Sequence, residues 1–503
     1  MSAPKRLVLY LPLRSDPKRD EPTSADLLPL ELLQIAGGPD AEGFEVVLID
    51  ANVIDSDPLP RLLEACDGAL LLGCSAILGY QVHDGRDAAL AVRERFPDLP
   101  IVWGGWFPSV VPELYFEAGI ADAVVLGQGE LTFLDLARAV EARADLEGVS
   151  GLALPRDGAV VPTPPRPVVG FDALPALPWH LLDFEPYRRR QLAAGFGHVR
   201  HRMPFPAGWS EPRPPVGFAL CSSFGCPSEC TFCCSPLVTP RRWEALGGAD
   251  LAALACELRG RFGFDLLRFN DANWGVSEPR AREFSEGLAG SGQVLWWNAT
   301  IEVEAVLRYD DATLDLMAES GCHLLWLGAE TGTEAMQRRI RKRVPVEEVP
   351  RALERLVGRG ITTGCFWIIG YPGEGSASMW TTLRKAAATK YAFRGSASDV
   401  YPFRAVPGTA DFEQARRLGW ELPATFEEWG RCFEWKWNTE RTPLPPNVRR
   451  AWSRFMRCAA HFDRTATDGP AWLRALASAT AGWRLRTGRF GFPVEQKLLD
   501  LWS

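Results

Sequence analysis

Hydrophobic residues in the first 145 positions form short continuous runs, and the stretches between these runs mix polar and apolar residues as amphipathic helices do. Continuous apolar strands that alternate with helices are typical of a parallel sheet covered on both faces. We therefore predict a doubly wound, Rossmann-like α/β domain over residues 1–145. Its strands are predicted at 6–13, 45–50, 69–73, 101–105 and 123–127.

A second alternation of apolar runs and helical stretches occupies residues 216–405. Six strands joined by right-handed helical crossovers favour an open partial (β/α)6 barrel, in which all carboxyl ends of the strands meet at one mouth. The predicted strands are 216–221, 266–271, 294–299, 323–330, 362–370 and 397–403.

The two remaining segments lack this alternation. Residues 146–215 are rich in proline and predict a connector, whereas residues 406–503 predict a C-terminal helical region rich in tryptophan. Two interpretations of these tryptophans stay open, namely a cover over the barrel mouth that binds an aromatic or lipid-like group, and plain helix packing. The residues concerned are Trp420, Trp429, Trp435, Trp437 and Trp452.

Composition narrows the function classes. The chain has 503 residues, of which 47% are hydrophobic, and a formal net charge of -8. None of the Lys and Arg runs suggests a phosphate-binding stripe, so we do not expect nucleic acid as a partner. No apolar segment reaches the roughly 18 residues of a membrane span, and the N-terminal apolar run is too short for a signal peptide. We expect a cytoplasmic protein.

Glycines mark the predicted carboxyl ends of three strands in the first domain, at 73–75, 104–106 and 127–130. Ligands of doubly wound sheets bind at these ends, and glycine allows a large ligand to approach the backbone closely. Tight turns between strand and loop are the alternative explanation.

Five of the twelve cysteines lie within residues 221–236. Three thiolates at the C-x3-C-x2-C spacing of Cys226, Cys230 and Cys233 suit an iron–sulfur cluster, whereas a structural zinc site would normally need a fourth protein ligand. Cys234 follows Cys233 directly, and we expect adjacent side chains in an extended loop to diverge. Cys221 lies on the incoming strand. The other seven cysteines are scattered, as small buried hydrophobic residues are.

The cysteine spacing, together with the aromatic Phe232 before the last cysteine, resembles the signature of the radical S-adenosylmethionine (SAM) superfamily. The resemblance implies a 4Fe-4S cluster whose open iron is chelated by SAM, and reductive cleavage of SAM to a 5'-deoxyadenosyl radical. It also implies a flavodoxin- or ferredoxin-type electron donor.

Further short motifs at the predicted strand ends resemble SAM-contacting segments of the same superfamily. They lie at 269–274, 296–302, 328–332 and 370–374, followed by a closing turn at 406–409. Glu330 corresponds to the carboxylate that meets the SAM ribose, and a structural carboxylate inside the barrel is the alternative. The other cofactor-binding residues that the resemblance implies are Asp271, Asn298, Gly370 and Pro372.

A Rossmann-like domain before a radical core resembles the cobalamin-binding group of radical SAM enzymes. The resemblance implies cobalamin contacts at the glycine-rich strand ends, namely Gly73, Ser75, Gly104, Gly105, Gly127 and Gly129. The chain lacks the D-x-H-x-x-G motif that supplies a histidine to cobalt, and His83 does not fit it. The lower face of cobalt would then meet residues 74–80 or stay open. The usual G-E-G-E is here G-Q-G-E, with Gln128.

Most members of that group methylate unactivated carbon, so the expected activity is methylation of a natural-product or lipid-like small molecule or a peptide. Ring rearrangement, cyclisation or oxidation with cobalamin is one alternative, and a first domain that no longer binds cobalamin is another. Zinc-protease, serine-hydrolase and P-loop motifs are absent from the sequence.

Overall fold

A computed structural model describes residues 5–18, 27–195, 206, 208–239, 241–432, 440–463 and 471–491, and the backbone of residues 196–200. The first sheet has the strand order β2-β1-β3-β4-β5-β6-β7. Its first five strands are parallel, as predicted. They are β1 (Arg6–Leu11), β2 (Glu45–Asp50), β3 (Leu71–Ser75), β4 (Ile101–Gly104) and β5 (Ala123–Val125).

Alternate residues of β1 explain why both faces of this sheet are covered. Leu7, Leu9 and Leu11 join the core on one face, and Val8 and Tyr10 join the core on the other. The first core is closed by α1 (Leu30–Ala41) and α6 (Glu130–Ala142), and the second by α2 (Leu59–Cys66) and α3 (Tyr80–Arg95). Two short helices, α4 (Trp106–Val110) and α5 (Pro112–Glu117), lie between β4 and β5.

The predicted connector contains structure that the sequence analysis missed. A hairpin of β6 (Leu152–Arg156) and β7 (Ala159–Pro162) adds two antiparallel strands to the edge of the first sheet. Pro155 and Pro162 cannot donate to a ladder, so they suit strands only at such an edge. The connector then continues into α7 (Glu185–Arg200), which is kinked at Gly195.

The second sheet has six parallel strands in the order β15-β14-β13-β12-β11-β8. These strands are β8 (Gly217–Leu220), β11 (Leu266–Phe269), β12 (Trp296–Ile301), β13 (Cys322–Glu330), β14 (Thr362–Ile369) and β15 (Ala397–Pro402). A separate antiparallel pair, β9 (Ser223–Gly225) and β10 (Trp243–Ala245), follows β8. The sequence order and the parallel pairing agree with the predicted partial barrel.

Helices cover the outer face of the barrel sheet and bury residues such as Trp297, Leu325 and Trp367. The barrel-region helices are α8 (Ser235–Val238), α9 (Gly248–Phe262), α10 (Glu278–Gly290), α11 (Val303–Arg308), α12 (Asp311–Glu319), α13 (Glu334–Arg339), α14 (Val349–Val357) and α15 (Ser376–Ala392). The C-terminal helices are α16 (Ala410–Arg417), α17 (Phe426–Arg431), α18 (Pro446–Phe462) and α19 (Ala471–Thr487). Within the described parts of the chain, no helix is both long enough and apolar enough to cross a bilayer.

The predicted tryptophans of the C-terminal region mostly pack between elements. Trp429 is buried against Phe107 of the first domain, with ring centroids 5.2 Å apart. Trp452 is buried, and its indole N–H donates to the Val400 carbonyl at 2.7 Å. Trp420 contacts Phe403. These contacts favour helix packing over a cover for the mouth. Trp435 and Trp437 lie outside the described residues.

Candidate functional site

The cysteine loop begins at the carboxyl end of β8 and is fastened to two other parts of the barrel. The Thr231 amide donates to the Ile340 carbonyl at 3.1 Å, and the Thr231 hydroxyl donates to Asp411 at 2.6 Å. Arg339 donates to the second oxygen of Asp411 at 2.9 Å. This loop therefore has a fixed conformation before any cofactor is considered.

All three predicted ligands lie in this loop, and their binding to a cluster stays a prediction. Cys226 and Cys230 are buried, and Cys233 is half-buried. Burial raises the pKa of Cys230 to about 12, and the nearby Lys342 ammonium opposes the rise. A bound metal would favour the thiolate form of each sulfur.

Cys234 does not diverge from Cys233, contrary to the expectation from sequence. The residue has helical dihedral angles at the start of α8, so the chain is not extended there. The hydrogen bond with Cys234, followed by burial, raises the pKa of Cys233. The same hydrogen bond lowers the pKa of Cys234, and burial opposes that change. Cys221 is half-buried on the approach to the loop.

The described residues contain no group of three His, Cys, Asp or Glu side chains arranged around a single metal ion. A mononuclear site needs such a group. An iron–sulfur cluster instead distributes its thiolate ligands over several irons, and the choice of a cluster over zinc stays a prediction from the cysteine spacing.

Asp271 and Asn273 place polar groups beside the loop. Asp271 is buried and accepts hydrogen bonds from the Ser222 amide and from the hydroxyls of Ser222 and Ser223. Its carboxylate thus ties the end of β11 to the end of β8, and a SAM contact by Asp271 stays a prediction. The Asn273 amide nitrogen lies 3.9 Å from the Cys226 sulfur. The side-chain carbonyl oxygen of Asn273 has no hydrogen-bond partner among the described residues.

Glu330 ends β13 in a left-handed backbone conformation, with φ at 62°. Its carboxylate is buried and forms an ion pair with Lys342 at 3.3 Å. Lys342 also pairs with Glu302, which follows β12, at 2.6 Å. Burial raises the pKa of Glu330, while Lys342 lowers it. The structure thus gives Glu330 a partner within the protein, and its predicted contact with the SAM ribose stays a prediction.

The loop at 370–374 is braced by its own glutamate. Glu374 accepts from the Gly370 amide at 2.7 Å and the Tyr371 amide at 3.2 Å. Gly370 has φ at 82° and lies so close to Leu444 that a Cβ would come within 2.5 Å of its side chain. The rings of Tyr371 and Phe232 meet edge to face at 5.7 Å, so this loop packs on the cysteine loop. Pro372 lies within the same turn, whereas Asn298 is buried within β12.

The glycines at the strand ends of the first domain have different local roles. A Cβ at Gly73 would come within 2.8 Å of the Leu9 side chain, which gives Gly73 an internal packing role. Gly105 has φ at 94° and faces the Ala76 carbonyl. Gly104 and Gly127 have more room, because a Cβ there would lie 3.8 Å from the Val125 side chain and 3.9 Å from the Val238 carbonyl oxygen, respectively. The remaining predicted contacts are Ser75, which is buried, and Gly129, which precedes α6. Cobalamin contacts at these positions stay predictions.

The side-chain amide of Gln128 makes two hydrogen bonds that the glutamate of the usual motif could not both make. Its amide nitrogen donates to the Val169 carbonyl at 3.2 Å, and its oxygen accepts from the Val169 amide at 2.8 Å. A carboxylate accepts but cannot donate, so only the amide completes both bonds. His83 lies on α3, stacked on Tyr80 at 5.4 Å. There it faces Gly430 of the C-terminal region.

Several site residues were not found from the sequence. Lys342, Asn273, Tyr371, Thr231 and Asp411 act through contacts between distant segments. Asn273 and Tyr371 lie inside motifs that the sequence analysis had marked, so their polar side chains were a usable signal. Lys342 lies in an arginine-rich segment, and no short motif marks it.

Comparisons with known proteins agree with this geometry. A family model described as the B12 binding domain matches residues 23–137. An uncharacterised methyltransferase of Pyrococcus horikoshii is 26% identical over 390 residues, covering 77% of this chain and 78% of that protein. The anaerobic magnesium-protoporphyrin IX monomethyl ester cyclase of Synechocystis is 26% identical over 362 residues, covering 69% of this chain and 65% of that protein.

A solved structure shares the architecture over most of the chain. The radical S-adenosylmethionine methyltransferase TsrM of Kitasatospora setae, solved with cobalamin and a 4Fe-4S cluster bound, matches with a TM-score of 0.65. The identity is 18%, and the match covers 86% of this chain and 82% of that one. The predicted fold class is confirmed. The first domain of this chain is a B12-binding domain, and the chain as a whole has the fold of cobalamin-dependent radical SAM enzymes.

Proposed function

We propose that this protein binds a 4Fe-4S cluster, SAM and cobalamin and methylates an unactivated carbon of a small molecule or peptide. One observation carries the proposal. A Cβ at Gly127, on the B12-binding domain, would lie 3.9 Å from the Val238 carbonyl, five residues after Cys233. The cysteine loop and a carboxyl strand end of the first sheet are therefore neighbours, as two cofactors acting on one substrate require.

The residues on the barrel side have separable tasks in this proposal. When bound, the cluster and SAM supply a hydrogen-abstracting radical and cobalamin supplies the methyl group. Cys226, Cys230 and Cys233 would hold the cluster, and Asn273 would donate to the Cys226 sulfur. Phe232 and Tyr371 pack over the loop and exclude water from it.

The charges around Lys342 would orient SAM. Glu302 and Glu330 share one ammonium, so this group carries a net negative charge when both carboxylates are ionised. A cationic ligand group such as the SAM ammonium or sulfonium would compensate that charge. Glu374 keeps the 370–374 loop in place, and the electron would come from a flavodoxin- or ferredoxin-type donor.

The methyltransferase name of the Pyrococcus relative and the solved methyltransferase support methyl transfer. The cyclase relative favours a second candidate, in which the same cofactors act without methyl transfer. The residues around the cysteine loop suit either reaction.

The test uses the full chain, anaerobically reconstituted with iron, sulfide and hydroxocobalamin, a chemical reductant such as dithionite to supply the electrons, and SAM carrying a deuterated methyl group. Methyl transfer predicts 5'-deoxyadenosine, S-adenosylhomocysteine and a product that carries the labelled methyl. Reaction without methyl transfer gives 5'-deoxyadenosine and an unlabelled product, which would favour the second candidate. A reconstituted protein that never cleaves SAM would refute both.

A further inference from the structure

The inner face of the barrel sheet carries aromatic side chains that are not part of the core under the covering helices. Residues 297, 299 and 301 of β12 and residues 325, 327 and 329 of β13 belong to the helix-covered core. Side chains alternate along a strand, so Trp326 on β13 and Phe366 on β14 point to the opposite, inner face.

Trp326 and Phe366 stack face to face on that side of the sheet. Their rings are 6° from parallel, with centroids 4.8 Å apart. Gly364 pairs with Trp326 across the strands, and a Cβ at Gly364 would overlap the indole. The glycine thus allows the indole to lie across β14. Tyr401, on β15, continues the row with its ring 6.1 Å from Phe366.

This aromatic shelf, comprising Trp326, Phe366 and Tyr401, is incompletely covered. Trp326 and Phe366 are half-buried, and Tyr401 is 38% exposed. Among the residues that the structure describes, neither Trp326 nor Phe366 joins any of the four hydrophobic clusters. Aromatic side chains that serve only as packing normally belong to such a cluster.

The shelf lies on the same strand as Glu330 of the candidate cofactor site, and four residues of strand span about 13 Å. The register is irregular between Gly328 and Glu330, but a Cβ at Gly328 would lie 2.2 Å from the Glu330 carboxylate, so the Glu330 side chain lies on the Gly328 side of β13. Polar groups flank the shelf. Thr300 is the cross-strand neighbour of Trp326, and Asp399 is the cross-strand neighbour of Phe366. Small-molecule sites are lined mostly by apolar and aromatic side chains, with a few polar groups that fix the orientation of the ligand.

We propose that the aromatic shelf binds a planar aromatic ring of the substrate and presents it to the cofactors at the barrel mouth. The inference rests on the proposed function, because it names the substrate class of that same site. An offset ring stacked on Trp326 gains quadrupole and dispersion attraction that a saturated ring of equal size does not.

Calorimetric titration of the full chain, reconstituted but without reductant, tests this directly. The probes are phenylalanine and cyclohexylalanine, each as the free amino acid and as the N-acetyl amide. We expect the aromatic member of a pair to bind roughly three- to tenfold more tightly. Binding of the free amino acids indicates a small-molecule substrate, and binding of the blocked forms alone indicates a peptide-borne ring.

Variants locate the effect. Trp326→Leu should abolish the preference for the aromatic probe, and Phe366→Leu should reduce it, so the second variant serves if the first does not fold. Trp472→Leu is the matched control, because Trp472 is 61% exposed on α19. Equal affinity for both rings, no measurable aromatic binding, or a preference that survives both shelf variants would overturn the inference. SAM cleavage, measured on a portion of the same preparation after a reductant is added, reports on the proposed function separately.

Discussion

The Lys342 ammonium lies 3.3 Å from the Glu330 carboxylate, and both groups are buried at the mouth of the barrel. Burial opposes the charge of Lys342, but Glu330 and Glu302 together raise its pKa. The lysine segment also holds the cysteine loop, because the Ile340 carbonyl accepts from Thr231. The candidate SAM-binding carboxylate and the candidate cluster loop therefore depend on the same short stretch of chain.

Lys342→Met should lower the free energy of unfolding by about 3 kcal/mol, because it leaves buried Glu330 and half-buried Glu302 without their cation. The decrease in the free energy of unfolding should depend on pH. Burial already raises the pKa of Glu330, and removal of the ammonium raises it further. A carboxyl group whose pKa is raised by folding stabilises the folded state at low pH. That contribution is lost as the pH rises through the pKa of the group in the folded state.

Denaturant titrations at about pH 5 and about pH 8 check the sign. The loss should be larger at the higher pH. Arg338→Met is the control, since Arg338 is exposed and pairs with exposed Glu334. An equal loss at both pH values, or no loss, would contradict the account of this ion cluster.

Asn273→Leu should shift the reduction potential of the reconstituted cluster to a more negative value. An N–H donor to a cluster sulfur stabilises the reduced, more negative form, and Asn273 is placed to donate to Cys226. A redox titration followed by electron paramagnetic resonance measures the shift. Asn270→Leu is the matched control, because Asn270 is exposed in the same motif. A potential that does not differ from the control would remove Asn273 from this role.

Gln128→Glu should destabilise the chain by about 1 kcal/mol, because the Val169 carbonyl loses its donor. Thermal unfolding compared with Gln293→Glu, an exposed glutamine, isolates the effect. Unchanged stability at neutral pH would mean that water replaces the lost donor without cost.

Cobalamin in this protein should be base-off and should lack a histidine ligand. His83 is the only histidine within residues 23–137, and it packs beside Tyr80 and Gly430. Electron paramagnetic resonance of the cob(II)alamin form should show no nitrogen superhyperfine splitting, and His83→Ala should leave the spectrum unchanged. Splitting that disappears in His83→Ala would contradict this prediction.

The strands of both sheets were predictable because each buried strand is a continuous apolar run. The ends differ from the predictions by a few residues where glycine continues the run, as at 101–105, where the strand ends at Gly104. The hairpin of β6 and β7 was missed because its prolines indicate a connector. Nothing local distinguishes an edge strand with proline from a loop.

The candidate site was predictable where chemistry is local in sequence and not where it depends on packing. The cysteine spacing marked the loop. The contact between Cys233 and Cys234 was not expected, because it depends on α8 starting at Ser235 and not on the spacing itself. Lys342 and Asp411 are brought to the loop by the fold, so no short motif reveals them.

The most direct test of the central claim is the iron content of four cysteine variants after anaerobic reconstitution. The account predicts about four irons per chain in the unaltered protein and in Cys234→Ala. It predicts loss of the cluster, and of SAM cleavage, in Cys226→Ala, Cys230→Ala and Cys233→Ala. A Cys233→Ala protein that keeps its cluster beside a Cys234→Ala protein that loses it would contradict the ligand assignment. Stoichiometric zinc in place of iron in the unaltered protein would contradict the claim itself.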